Sequence, residues 1–93
     1  MRFVPRRISE VRDFLGFMVM TCPDDFPPEG NLDLDSAFAT LIDGLDAVRA
    51  PLGEQRHFDL TRMAEKAKSL YEAGDEDGGS FTLQDMKKRL ARA

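Results

Sequence analysis

The sequence contains few of the residues that form disulfides, metal sites and nucleophilic centres. Its 93 residues include one cysteine, Cys22, and one histidine, His57. A single cysteine excludes an internal disulfide and fits a reducing compartment. Neither Cys22 nor His57 clusters with another Cys or His, which argues against a zinc site. The aromatic residues are seven Phe, one Tyr and no Trp, and with five Met they indicate a soft, adaptable core.

The sequence also lacks a catalytic motif. His57 has Glu54 and Asp59 close to it along the chain. A catalytic base needs an orienting acid and a nucleophile within hydrogen-bond reach, and nothing in the sequence places Cys22 there. We therefore expect no enzymatic activity, no cofactor and no bound metal.

Long apolar runs are absent, so the sequence predicts no membrane-spanning segment. Arg2, Arg6 and Arg7 precede an apolar stretch, but charged residues within 10–13 interrupt it. This is a poor signal peptide. We expect a cytoplasmic protein that does not bind membranes.

Lysine and arginine are missing from the middle third of the chain. Residues 13–46 contain eight acidic residues and no basic one, whereas the two flanking segments are net basic, and the whole chain has a formal charge of −4. Phosphate would be repelled by the middle third, which argues against nucleic-acid binding there. The same charge favours a basic protein partner and speeds encounter with one. The acids expected on the surface are Asp35, Asp43 and Asp46 on the second helix and Asp75, Glu76 and Asp77 in the last turn.

Apolar residues recur at spacings of three and four, which predicts helices and no strand. The second helix is the central element, with an apolar face and an acidic edge. The prediction is an all-α fold, a compact four-helix bundle with short connections, in one domain that covers residues 1–93. The predicted helices cover about 9–21, 34–50, 59–73 and 82–91, with a loop at 22–32, a connection at 51–58 and an acidic turn at 74–80.

Local signals predict where the helices begin and end. Ser9 is a candidate N-cap for the first helix, and Asp33 or Asp35 for the second. Gly74 is a natural stop for the third helix. Thr82 is the expected start of the fourth.

The first helix is apolar nearly all round. Phe17 and Met20 point away from the face that contains Phe14 and Met18. This helix is therefore either the most buried one or has a second face that meets another chain, which makes a homodimer through helix 1 an alternative. Phe26, in the following loop, is interpreted as a plug over the core.

Two motifs are similar to known sites but depart from them. Residues 75–81 resemble a calcium loop, yet Gly74 and Gly78 stand at ligand positions and have no side-chain oxygen. An acidic interhelical turn is the better account.

Asp35-Ser36 at a helix start looks like the Asp-Ser of acyl carrier proteins, whose serine bears phosphopantetheine. Helix capping explains these two residues without that chemistry.

Several local features follow one another along the chain in a suggestive order. Ile8-Ser9-Glu10 opens an apolar helix with Thr21-Cys22 near its end, and an acidic loop and an acidic helix come next. Tyr71 then precedes Gly74-Asp75-Glu76-Asp77 and a basic final helix. This order resembles the immunity proteins of nuclease colicins and pyocins, small acidic four-helix proteins of the cytosol that neutralise a basic DNase toxin. The resemblance implies a bacterial immunity function and a partner-binding role for Tyr71.

We therefore expect a non-enzymatic acidic protein that masks a basic protein partner, with toxin immunity as the concrete form. The alternative is a homodimeric structural or regulatory helical protein, and an acyl-carrier-like protein is third. The residues expected to contact the partner are Asp35, Asp43, Asp46, Tyr71, Asp75, Glu76 and Asp77.

Overall fold

Four long helices and one short helix contain most of the described residues. The structure is a computed structural model that describes residues 4–92, so Arg2 lies outside it, and this range contains no strand. The predicted all-α helical bundle is confirmed. The helices are α1 (Ile8–Thr21), α2 (Leu34–Ala47), α3 (Arg49–Leu52), α4 (Glu54–Glu72) and α5 (Glu76–Ala91), and a 3₁₀ turn covers Pro28–Gly30.

The four long helices form a closed arrangement around one core. Helix α5 packs between α1 and α4, and α2 packs against α4 and α1. The Cα radius of gyration is 12.2 Å, close to the value of about 12 Å expected for a compact chain of this length. Burying one large aliphatic side chain stabilises the fold by about 1.5–3 kcal/mol, so the core dominates its stability. Its largest fully buried side chains include Leu15, Met18, Leu41, Leu45, Leu83, Met86 and Leu90.

Helix α2 begins with a reciprocal cap, which confirms Asp33 rather than Asp35 as the N-cap. The Asp33 carboxylate accepts a hydrogen bond from the Ser36 amide at 2.8 Å, and the Ser36 hydroxyl accepts one from the Asp33 amide at 2.9 Å. Two amides that lack helical acceptors are satisfied in this way. Ser36 therefore has a structural role at the start of α2.

Gly44 lets α2 approach the N-terminal segment closely. A Cβ at this position would lie 3.2 Å from ring atoms of Pro5, which is itself buried. The glycine that interrupts the apolar pattern of α2 is thus explained by packing. The helix ends at Ala47 and not near residue 50.

The predicted connection at 51–58 is wrong, because most of it is helical. Helix α3 contains Pro51 in its first turn, where the missing N–H costs no helical hydrogen bond. Gly53, with φ of +87°, separates α3 from α4. The guanidinium of Arg49 bridges this break to the Glu54 carboxylate, with distances of 2.7 and 2.6 Å. Helix α4 therefore begins five residues before the predicted Asp59.

The predicted acidic turn at 74–80 is also mostly wrong. Gly74 does end α4, with φ of +87°, as predicted. Helix α5 then begins at Glu76 with Asp75 as its N-cap, so Thr82 lies inside the helix and donates its hydroxyl to the Gly78 carbonyl at 2.8 Å. Ser9 likewise lies inside α1, whose N-cap position is Arg7.

The second apolar face of α1 is largely covered by the following loop. The Phe17 ring stacks on Phe14 at 5.7 Å and contacts Phe26 at 6.3 Å between centroids. Phe26 is partly buried against the core, which confirms its interpretation as a plug. Met20, at 79% exposure, is the residue of this face that the loop leaves uncovered.

Candidate functional site

The acidic edge of α2 lies beside α4, and two ion pairs show that these helices are antiparallel. Near the start of α2, Asp35 Oδ1 lies 3.2 Å from Lys68 Nζ. Near its end, Asp46 Oδ1 lies 2.7 Å from His57 Nε2. His57, predicted to lie in a connection, is thus part of α4 and is fixed by an acid of α2.

An apolar groove lies between α2 and α4 beside the Asp35–Lys68 pair, and its volume is about 340 Å³. Phe38 and Ala64 are buried beneath it, and Ile42 is partly buried against the core. We call this feature the α2–α4 groove. The residues that line it are Asp35, Phe38, Ala39, Ile42, Ala64, Glu65, Lys68 and Ser69.

Carboxylates predominate around the groove. Asp35 and Glu65 line it from opposite helices. Asp46 lies one helical turn beyond Ile42, and Asp43 is exposed on the same helix. Asp35 pairs with Lys68, and Asp46 pairs with His57, which is charged only when protonated. Arg49 also lies near Asp46, and Arg62 lies one helical turn before Glu65 on α4. The groove is therefore an apolar strip whose own lining contains two carboxylates and one lysine.

Phe58 adds an exposed aromatic ring to this side of α4. It is 56% exposed, and the guanidinium carbon of Arg62 lies 5.7 Å from its ring centroid. Residues seven apart share a helix face, so Phe58 lies on the same side of α4 as Glu65. Sequence reasoning missed Phe58 because it placed this residue in a connection. Residues 54–73 contain no glycine or proline, which could have predicted that Phe58 lies in a helix.

Tyr71 does not line the α2–α4 groove, and its predicted contact with a partner stays a prediction. It is 5% exposed, and its ring lies 6.2 Å from that of Phe38. Loss of hydration raises the pKa of Tyr71 to about 12. Among the described residues none hydrogen-bonds its buried hydroxyl in good geometry, although Ser80 lies near it. Tyr71 is a core residue, as its place on the apolar face of the helix implies.

The three acids around the start of α5 have a local structural role. Asp75 Oδ1 accepts a hydrogen bond from the Gly78 amide at 3.0 Å. Glu76 and Asp77 are exposed in the first turn, where negative charge suits the helix dipole. None of the three lines the α2–α4 groove. Of the predicted acids, the structure thus places Asp35 in the groove lining and Asp46 one helical turn beyond it, on the same helix as the exposed Asp43.

The residues of the carrier, thiol and metal alternatives have the following surroundings. Ser36 is held by its cap, as described above. Cys22 is partly buried, and desolvation raises the pKa of its thiol to about 12, so the reactive thiolate is scarce at neutral pH. Within residues 4–92, no group of three or more His, Cys, Asp or Glu side chains is placed to hold a metal ion.

Comparisons with models of protein families, with curated proteins and with solved structures found no match for this chain. No helix among the described residues is both long and apolar enough to cross a membrane.

Proposed function

We propose that this chain is a small acidic binding protein that covers a basic surface of a protein partner, and that toxin immunity is the concrete form of this function. The observation that supports it is the α2–α4 groove. There, the carboxylates of Asp35 and Glu65 line an apolar strip, and Asp46 lies one helical turn beyond it. Phe58 is exposed on the same side of α4. A partner surface with Lys or Arg around an apolar residue complements this arrangement.

The carboxylates can bind a partner without disrupting the fold. Asp35 and Asp46 each contact a basic residue of this chain through Oδ1. A carboxylate accepts several hydrogen bonds, so the second oxygen of each can accept one from the partner. Exposed ion pairs contribute about 0–1 kcal/mol, so exchanging Lys68 for an arginine of the partner costs little. The acids therefore steer the approach and fix its orientation.

Phe58 is the proposed apolar anchor. Binding energy in protein interfaces concentrates in a few aromatic or arginine side chains that lose their water on binding. Phe58 is the exposed large apolar residue on the groove side of α4, since Met20 and Phe81 belong to α1 and α5. A partner that covers it would remove the ring from water on the face that Arg62 leaves open.

Immunity is the form of this function that the order of features along the chain favours. An acidic second helix and a basic end of the last helix are also features of the colicin and pyocin immunity proteins, which the sequence resembles. Neutralisation by occlusion needs only a stable complex that blocks the toxin's nucleic-acid site. A basic DNase surface is the kind of surface that the α2–α4 groove complements.

Capture from the native host tests this proposal. The immobilised chain is incubated with host lysate and eluted in steps of rising salt. We expect a basic protein that elutes as salt screens the carboxylates. If that protein is a toxin, an equimolar amount of the chain should abolish its activity. Retention of only neutral or acidic proteins, or retention that salt does not weaken, would contradict the proposal.

A homodimer remains the alternative proposal, and the exposure of Met20 on α1 supports it. The loop residue Phe26 covers Phe17 and so reduces the apolar area on that face. Sedimentation of the wild type and of Met20→Gln tests the alternative. A monomer at all concentrations would contradict it, and a dimer that Met20→Gln dissociates would support it.

A further inference from the structure

A second pocket lies where the start of α4 meets the end of α5, away from the α2–α4 groove. Its volume is about 160 Å³. Leu52 and Leu60 are buried beneath it and form an apolar floor. We call it the arginine pocket, and its lining residues are Leu52, Arg56, Asp59, Leu60, Arg89 and Arg92.

Positive charge in this pocket exceeds the negative charge that faces it. Three guanidinium groups line it together with one carboxylate, that of Asp59, which accepts a hydrogen bond from the Gln55 amide at 3.0 Å. Arg89 Nε approaches Asp85 only to 3.5 Å, longer than the roughly 2.7–2.9 Å of a charge-assisted hydrogen bond. In the described chain, Arg56 and Arg92 form no ion pair. The lining therefore has a net charge of about +2, by this count of its ionised groups.

The position of Arg56 is not explained by helix stability. Arg89 and Arg92 lie at the end of α5, where cations suit the helix dipole. Arg56 is instead the third residue of α4, where the positive end of the dipole disfavours a cation and favours an anion. No side chain caps the start of α4. The field at the start of α4 thus acts in the same direction as the three arginines, which also outweigh the partial negative charge at the end of α5.

We propose that the arginine pocket binds a phosphate monoester with a small apolar substituent. Arginine forks match phosphate oxygens in pairs. A phosphate monoester has a charge of about −1.5 to −2 at pH 7, which balances the pocket. Leu52 and Leu60 provide a surface for the substituent. Pockets for drug-sized ligands have volumes of about 300–1,000 Å³, so this smaller pocket limits the substituent to a few atoms or one ring. The inference does not rest on the proposed function of the α2–α4 groove.

Titration with phenyl phosphate, followed by NMR of the full chain, tests the proposal. We expect saturable shifts of the Arg56 and Arg89 side-chain N–H signals and of the Leu60 methyl signals. The variant with Arg56→Gln and Arg89→Gln should bind at least tenfold more weakly. The control with Arg6→Gln and Arg7→Gln removes the same charge from exposed residues at the start of α1, and it should bind as the wild type does. The single variant Arg56→Gln should lose part of the affinity and provides a second test if the double variant folds poorly.

Three results would overturn the proposal. The first is a set of shifts spread over all basic residues that do not saturate. The second is equal binding by the double variant and the wild type. The third is a comparison of ligands in which inorganic phosphate or benzoate binds as tightly as phenyl phosphate, because the apolar floor and the second negative charge would then contribute nothing.

Discussion

The aromatic ring of Tyr71 lies against the backbone of Gly79 with no room for a side chain between them. A Cβ at position 79 would lie 2.6 Å from Cε2 of the ring. This contact joins the end of α4 to the first turn of α5. It explains why a glycine occurs inside a helix, where it is otherwise unfavourable.

Gly79→Ala should therefore destabilise the fold. The ring is buried and packs against Phe38, so overpacking should cost about 1–3 kcal/mol in the free energy of unfolding, despite the better helix propensity of alanine. Urea denaturation measures the change. Gly30→Ala is the matched control, since nothing lies within 4 Å of its added methyl group, and it should change stability by less than about 0.5 kcal/mol. Equal stability of both variants would show that the Tyr71 contact is not tight.

Asp33→Ala should destabilise the protein at neutral pH and not in strong acid. Hydrogen bonds from the Ser36 amide and hydroxyl lower the pKa of Asp33 from its ordinary value of 3.8. Because the pKa of Asp33 is lower in the folded protein than in the unfolded chain, its carboxylate stabilises the fold fully at pH values above the pKa of the unfolded chain. This stabilisation is lost as the pH falls through the pKa of the folded protein. Thermal unfolding between pH 7 and pH 2 should show the two proteins converging below about pH 4. Asp25→Ala, an exposed loop acid, should follow the wild type, and a constant gap between wild type and Asp33→Ala would contradict the account.

Tyr71→Phe should resist alkaline unfolding better than the wild type. Desolvation raises the pKa of Tyr71 from 10.0, and that of Cys22 from 9.0, to about 12 in each case. The unfolded chain therefore loses these protons first, so stability should fall as pH rises from about 9 towards 12. Removing the hydroxyl should reduce this fall and should leave stability at pH 7 equal or higher, since a buried hydroxyl without a partner is costly.

The same variant also separates the two roles considered for Tyr71. Partner binding should be unchanged in Tyr71→Phe, because the side chain is buried in the core. Loss of binding without loss of stability would show that the hydroxyl reaches the partner, as the immunity-protein resemblance implies.

Phe58→Ala should weaken partner binding at least tenfold, since truncation of an anchor residue commonly costs 2 kcal/mol or more. Its effect on stability should be less than about 1 kcal/mol, because the ring is mostly exposed and contacts Arg62. Calorimetric titration with the captured partner and urea denaturation measure the two quantities. Phe81→Ala, on α5 and also exposed, is the control and should bind normally. A Phe58→Ala variant with full affinity would remove this residue from the interface.

The helices with strong periodicity could be predicted from the sequence, as could the start of α2 at Asp33 and the end of α4 at Gly74, but the starts of α4 and α5 could not. Asp33 and Gly74 act through local hydrogen bonds and backbone geometry, which short motifs specify. Gly78 and Gly79 suggest a turn in the sequence, but Gly79 is needed because the Tyr71 ring of α4 packs against its backbone. Pro51 and Gly53 suggest a long connection, but only Gly53 interrupts the helices.

The candidate site could also be predicted only in part from the sequence. The acidic edge of α2 follows from helical periodicity, as does the burial of Tyr71 on an apolar face. The pairs of Asp46 with His57 and of Asp35 with Lys68 depend on which helix packs beside α2, and the sequence does not specify this. The exposure of Phe58 on the groove side depends on the start of α4 at Glu54, which the sequence pattern did not predict.

The central claim is that acids on α2 bind a basic partner, and the salt dependence of affinity tests it most directly. Affinity for the captured partner is measured at several salt concentrations for the wild type, for Asp43→Asn with Asp46→Asn, and for Asp24→Asn with Asp25→Asn. We expect the α2 variant to bind roughly tenfold more weakly at low salt, with a shallower salt dependence. The loop variant loses the same charge and should resemble the wild type. An α2 variant with the affinity and salt dependence of the wild type would contradict the account.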